Sequence, residues 1–259
     1  MDDVVRIALD DGVLTVTINR PEQRNALNAD VTRGLLDAVQ RAEREDEIRV
    51  VVLTGAGERA FCAGADLGGL RSDAGAVERH EGRTMFADVL QAVRRAPTPV
   101  IARVNGAALA GGFGLALACD LAIAADDATF GTPEVKVGMW PYLISAVIIE
   151  HLGPKRTMDL LLTGRRIDAA QALEWGLVNR VVPRDRLDAA VDETAQGLAA
   201  LSPLVLALGK QAYAISSQLR RDDALEYLGG MLGLHLQTED AAEGLTAFLE
   251  KRAPQWRGR

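Results

Sequence analysis

Histidine and cysteine are scarce in this chain of 259 residues, which has three histidines, His80, His151 and His235, and two cysteines, Cys62 and Cys119. They are scattered along the chain, so no zinc-site spacing is present, and with no G-x-S-x-G stretch a Ser-His-Asp triad has little support. Two cysteines among apolar or small neighbours make no disulfide framework and read as buried thiols in a reducing compartment. Aromatic residues make up only 4% of the chain, so Ala, Val, Leu and Gly must do the packing. No block of basic residues exists and the formal charge is -7, which argues against a nucleic-acid surface. No apolar run is long enough to cross a membrane, and the acidic start MDDVVRIALD passes straight into strand-like sequence rather than a signal peptide. The expected setting is cytoplasmic.

What is present is ordinary for a globular protein, 48% hydrophobic and 25% charged, with enough length for one large core and a smaller helical appendage. Residues 4–9 and 13–19 are β-rich runs around Asp10-Asp11-Gly12 and predict a hairpin. Residues 19–28, NRPEQRNALN, are polar and proline-broken, hence a loop. Asp30 suits the cap of a helix running to about Glu45, with Val31, Leu35, Leu36 and Val39 on one face. Residues 50–53 read as a buried strand and 55–65, GAGERAFCAGA, as a glycine-rich corner. The mixed segment from Asp66 to about Gly82 predicts a mobile loop over a pocket. A helix over 85–94 and strands over 100–104 and 121–124 complete an alternation that implies a parallel sheet. Beyond Gly138 helical spacing dominates, near 142–152, 154–161, 168–175, 187–201, 203–217, 222–236 and 241–251, with only 177–182 reading as a strand. Leu225, Leu228, Leu232 and Leu236 form a stripe that either packs on the chain's own core or makes a seam between subunits.

Residues 99–120, PVIARVNGAALAGGFGLALACD, carry the densest signal. A β-branched run ends at Asn105-Gly106, and Gly111, Gly112 and Gly114 sit where a small-residue helix begins. The first N–H groups of a helix lack internal acceptors, and glycine lets a ligand atom approach them. Such a corner holds negative charge, although the same glycines also serve where backbones merely pass close together. A dinucleotide fingerprint is disfavoured, because Leu117 stands where a small residue is needed and the unit lies in mid-chain.

NRPEQRNALN, AFCAGADL, NGAALAGGFGLALACD, FGTPEVKVG and EGLTAFLEKRAPQW, in that order, resemble the crotonase, or enoyl-CoA hydratase/isomerase, superfamily over nearly the whole chain. The resemblance implies an α/β fold, a crotonase-like spiral of ββα turns over residues 1–200 with a C-terminal helical trimerisation region over 201–259. It also implies homotrimers that often pair into hexamers and an acyl-CoA thioester as substrate. Coenzyme A is then part of the substrate, with no separate cofactor and no metal. By similarity the main-chain N–H groups of Ala65 and Gly111 form an oxyanion hole, each donor worth about 3–4 kcal/mol in the transition state. Gln23 and Arg24 resemble positions touching the nucleotide end of coenzyme A, and Ala63, Asp66 and Leu67 those lining the pantetheine path. Phe248 and Lys251 match C-terminal positions that reach the adenine or phosphate, sometimes of a neighbouring subunit. Arg24 and Lys251 also fit ordinary solvated surface charge.

The acid/base positions depart from the two-glutamate pattern of the family's hydratases. The first is Gly114, which cannot transfer a proton. The second is Glu134, whose carboxylate suits removal of a proton beside a carbonyl, or else holds a loop. Where hydratases have a glycine-rich helix start, this chain has Tyr142 and Leu143, expected to narrow the site and exclude water. Tyr142 is read as filling space rather than donating a hydrogen bond. The expected activity is therefore conversion of 3-enoyl-CoA to 2-enoyl-CoA in fatty-acid metabolism. Hydration of 2-enoyl-CoA by one glutamate is the alternative. A CoA-thioester-binding protein with little turnover is a third reading, against which Glu134 weighs, since binding alone needs no base.

Overall fold

The computed structural model describes residues 3–66, 68 and 76–259, with side chains for all of these except 76–83. Strands β1 (Val5–Asp10) and β2 (Val13–Ile18) pair antiparallel around Asp11 and Gly12, both at positive φ, the turn whose twist suits a hairpin. β2 then pairs in parallel with β3 (Val50–Gly55), which pairs with β5 (Val100–Val104), then β7 (Leu121–Ala125), then β10 (Arg180–Val182).

Every residue of β3 is buried because both faces of this sheet are covered. Val51 and Leu53 join the main core with Leu35, Val39, Val93 and Phe113, while Val50 and Val52 point the other way onto Leu187 and Val191 of α7 (Leu187–Ala199). Successive strand side chains alternate between faces, so one apolar run serves two cores. α1 (Ala29–Arg44) lays its buried Val31, Leu35 and Val39 on the main core. Its cap is Asn28, whose side chain accepts from the Val31 N–H, and not Asp30, because the helix begins one residue before that aspartate. α2 spans Ala76–Arg95 and so starts well before residue 85. Residues 67 and 69–75 of the expected mobile loop lie outside the described part.

A second sheet is built from short strands in the order β4 (Ala60–Cys62), β6 (Ala107–Leu109), β8 (Thr129–Gly131) and β9 (Arg166–Asp168), the last antiparallel. Three-residue strands give little periodicity to read, and none of the four is among the strands the sequence predicts. Between β6 and β7 lies α3 (Gly111–Ala118), apolar all round and almost wholly buried. α4 (Tyr142–His151), α5 (Pro154–Thr163) and α6 (Ala169–Glu174) follow β8, and α8 (Pro203–Ser216), α9 (Arg221–His235) and α10 (Glu239–Glu250) form the C-terminal layer. α9 has no buried residue, and Leu225, Leu228, Leu232 and Leu236 are all exposed, so the stripe does not pack on the chain's own core. Among the described residues no single helix is long and apolar enough to cross a membrane.

α3 meets β4 with almost no clearance. A Cβ placed on Gly112 would lie 2.1 Å from the Cys62 carbonyl oxygen, whereas one on Gly197, in α7, would meet nothing within 4 Å. Gly112→Ala should therefore destabilise by about 3 kcal/mol, the upper range for overpacking. Gly197→Ala should stabilise by about 0.5–1 kcal/mol, since it removes a helix-interior glycine. Thermal unfolding of the two variants should shift in opposite directions.

Candidate active site

The strands β4, β6 and β8 run parallel and side by side, and their carboxyl ends deliver the three groups that sequence reasoning singled out. Ala65 follows β4, Gly111 follows β6, and Glu134 follows β8 on a short helical turn, Pro133–Val137. Chain ends on one side of a parallel sheet are where ligands are received. The three ends are tied across one another: the Ala110 N–H donates to the Gly131 carbonyl at 2.9 Å, and a Cβ on Gly64 (φ +90°) would fall 2.5 Å from the Ala110 Cβ and 3.1 Å from the Gly111 nitrogen.

Among the described residues neither the Ala65 nor the Gly111 N–H has an intramolecular acceptor. Gly111 opens α3, so its N–H is one that no helix satisfies from within. The residue before it, Ala110, has φ 52° and ψ -128°, a conformation glycine favours; holding alanine there costs about 1–3 kcal/mol and occurs where surrounding structure dictates it. Leu27 and Phe86 flank the spot, since a Cβ on Gly111 would meet Leu27 Cδ1 at 3.2 Å and Phe86 Cζ at 3.3 Å. Apolar walls beside free N–H donors strengthen their attraction for a developing negative charge.

Glu134 Oε2 is buried and is the one buried side-chain oxygen among the described residues without a hydrogen-bond partner. Burial raises its pKa above the ordinary carboxylate value, opposed by its own backbone N–H, and among the described residues no neighbouring charge contributes. A carboxylate kept from water with a free oxygen is equipped to take and return a proton. Two other titratable groups are less available: burial pushes the Cys62 thiol up to about 12 and raises that of Cys119 further.

The profile of the enoyl-CoA hydratase/isomerase family matches residues 8–259. The chain belongs to that family. A carnitinyl-CoA dehydratase of Salmonella typhi is 36% identical over 264 residues, covering 100% of both chains. The crystal structure of an enoyl-CoA hydratase from Bacillus anthracis superposes with a TM-score of 0.93 at 35% identity, over 99% of this chain and 100% of that one. One from Mycobacterium smegmatis gives a TM-score of 0.93 at 33% identity, over 98% of each. The fold is the crotonase fold these enzymes share.

Within this enoyl-CoA hydratase/isomerase-family chain, the remaining expected residues divide into two groups. Gln23 and Arg24 are exposed on a loop laid directly along the Ala65 segment. The Ala63 N–H donates to the Arg24 carbonyl (3.1 Å), the Leu27 N–H to the Gly64 carbonyl (2.8 Å) and the Asp66 N–H to the Leu27 carbonyl (2.9 Å). Asp66 also pairs with Arg20 at 2.8 Å, and Arg20 reaches the Ala26 carbonyl at 2.7 Å, so its carboxylate tethers the two segments. Leu67 lies outside the described residues. Phe248 and Lys251 are exposed on and just after α10, whose side-chain and terminal hydrogen bonds run to Ser202 and the C-terminal tail, not to the segments carrying Ala65, Gly111 and Glu134.

Tyr142 and Leu143 stand at the start of α4. Their side chains are exposed, Tyr142 by 78%, because the first turn of α4 turns them outward; the adjacent Ile144 is the residue buried, against Gly114. Sequence reasoning also missed Asn25 and Asn105. Asn105 Nδ2 donates to the Gly55 (2.8 Å) and Gly57 (2.6 Å) carbonyls and Asn25 Nδ2 to those of Ala56 (3.0 Å) and Ala60 (2.7 Å), which together fix the turn leading into β4. The Asn-Gly pair signalled a turn, but nothing local showed that its amide would be buried.

The raised pKa of Glu134 sets two pH effects. A carboxylate that takes a proton must be ionised, so kcat/KM is expected to fall as pH drops through a midpoint above the usual glutamate value of about 4.3. In stability the sign is reversed: a folded pKa above the unfolded one favours the fold at low pH, and that advantage is lost as pH rises through the folded value. Glu134→Gln should abolish turnover, and its melting temperature relative to the parent should rise between pH 4 and pH 8.

Proposed function

We propose that the protein moves the double bond of an acyl-CoA thioester, converting 3-enoyl-CoA to 2-enoyl-CoA. In this reading the Ala65 and Gly111 N–H groups hold the thioester oxygen as negative charge develops on it, and Glu134 takes a proton from C2 and returns it at C4. Gln23 and Arg24 bind the nucleotide end and Ala63, Asp66 and Leu67 the pantetheine arm. The observation that carries this reading is Glu134 itself, a half-buried carboxylate with one buried, unpartnered oxygen, with Gly114 at the other acid/base position. One base suffices for bond migration, because the proton removed is the proton returned.

Hydration of 2-enoyl-CoA, or its reverse, is the second reading, and the names of the dehydratase and hydratase relatives favour it. In it Glu134 would both handle the C2 proton and serve the oxygen at C3. Purified protein given each substrate in turn should isomerise 3-enoyl-CoA faster than it hydrates 2-enoyl-CoA, and Glu134→Gln should lose at least a hundredfold in kcat while still binding the thioester. Fast hydration without isomerisation would install the second reading.

The assembly we infer is a trimer, or a pair of trimers. Its support is the α9 stripe, in which Leu225, Leu232 and Leu236 are 64%, 59% and 66% exposed. A continuous apolar face of that kind marks an association surface. Sedimentation at micromolar concentration should show no monomer, and Leu228→Asp/Leu232→Asp should release it.

A further inference from the structure

We propose that Ile144 determines the reaction specificity of the site by closing the space beside Gly114, so that α3 cannot present a second acid/base group opposite Glu134. The inference rests on the single-carboxylate reading above. Gly114 lies in the first turn of α3, its N–H donating to the Ala110 carbonyl at 3.2 Å, one turn behind the free Gly111 N–H. A Cβ on Gly114 would lie 2.3 Å from Ile144 Cγ2 and 2.8 Å from Ile144 Cβ. These are stem atoms of a β-branched side chain, whose χ1 is stiff in a helix.

Nor can the helix swing aside easily. Ile144 is 2% exposed and is held with Val147 (4%) and Ile148 (0%) on the buried face of α4. α4 follows the turn of Glu134, closed by the Met139 N–H donating to the Glu134 carbonyl at 3.0 Å. Any side chain at position 114 therefore requires α4, and with it the turn bearing the base, to move. Hydration places a hydroxyl on C3 and a proton on C2, and needs a water held by polar partners. The Gly114–Ile144 contact offers only apolar atoms and no room, conditions under which water is not retained. Bond migration needs neither.

The test is a set of variants read for both unfolding and rate. Gly114→Ala should lower the melting temperature, and Ile144→Ala, though destabilising alone, should recover part of that loss when the two are combined. Failure of that recovery overturns the packing argument, whether or not any variant is active. Gly114→Glu/Ile144→Ala should melt higher than Gly114→Glu and hydrate a four-carbon 2-enoyl-CoA at least tenfold faster than the parent. A double variant that melts no higher than Gly114→Glu, or that melts higher without the tenfold gain, overturns the proposal. Failure of the isomerase reading is seen separately, in the parent protein's own ratio of isomerisation to hydration.

Discussion

The parallel pairing of β4, β6 and β8 is the constraint on which the site depends. Each of these strands is only three residues long, so backbone hydrogen bonds between them cannot hold the arrangement unaided. They are clamped instead by contacts at their ends: Gly112 against the Cys62 carbonyl, Gly64 against Ala110, and two buried asparagine amides gripping the turn before β4. Because those contacts leave no slack, the N–H groups after β4 and β6 are held in place before any ligand arrives. Preorganised donors need no rearrangement as charge develops, which is the condition for electrostatic catalysis.

The same tight packing explains where the fold carries local costs. Ala110 is held at positive φ immediately before a free N–H, and Glu134 keeps a buried oxygen without a partner. Both features oppose stability, and both stand just after strands of the second sheet, Ala110 after β6 and Glu134 after β8. Elsewhere among the described residues the buried side-chain polar atoms are paired. Asp240 is buried yet accepts from Ser202 and from the backbone N–H groups of Arg257 and Gly258, and Asp120 is met by Lys210 and the Val100 N–H. An orphaned carboxylate oxygen stands out against such a background.

The C-terminal layer follows a different logic. α7 is folded into the chain, its Leu187 and Val191 closing one face of the main sheet, but α9 buries nothing. The tail returns across this layer, with the Trp256 indole donating to the Ala200 carbonyl and the Glu239 and Asp240 N–H groups donating to the Arg259 carbonyl. That return ties α10 to the junction between α7 and α8, so the exposed leucines are presented on a braced layer rather than a loose extension.

Sequence alone determined the elements that depend on local pattern: the hairpin, the apolar run of β3, the helices after residue 138, and the glycine corner that opens α3. It also determined which residue types stand at the family's motif positions, including glycine at 114 and glutamate at 134. Tertiary structure decided what those residues meet. β4, β6, β8 and β9 are strands only because partners lie beside them, since three residues carry too little periodicity to declare themselves. Asn28 rather than Asp30 caps α1 because the backbone turns into the helix two residues earlier. Ile144 rather than Tyr142 or Leu143 fills the space at Gly114 because helix rotation, set by the burial of Val147 and Ile148, turns one side chain in and its two predecessors out. Contact between residues thirty positions apart is a property of packing, and no local pattern in the chain encodes it.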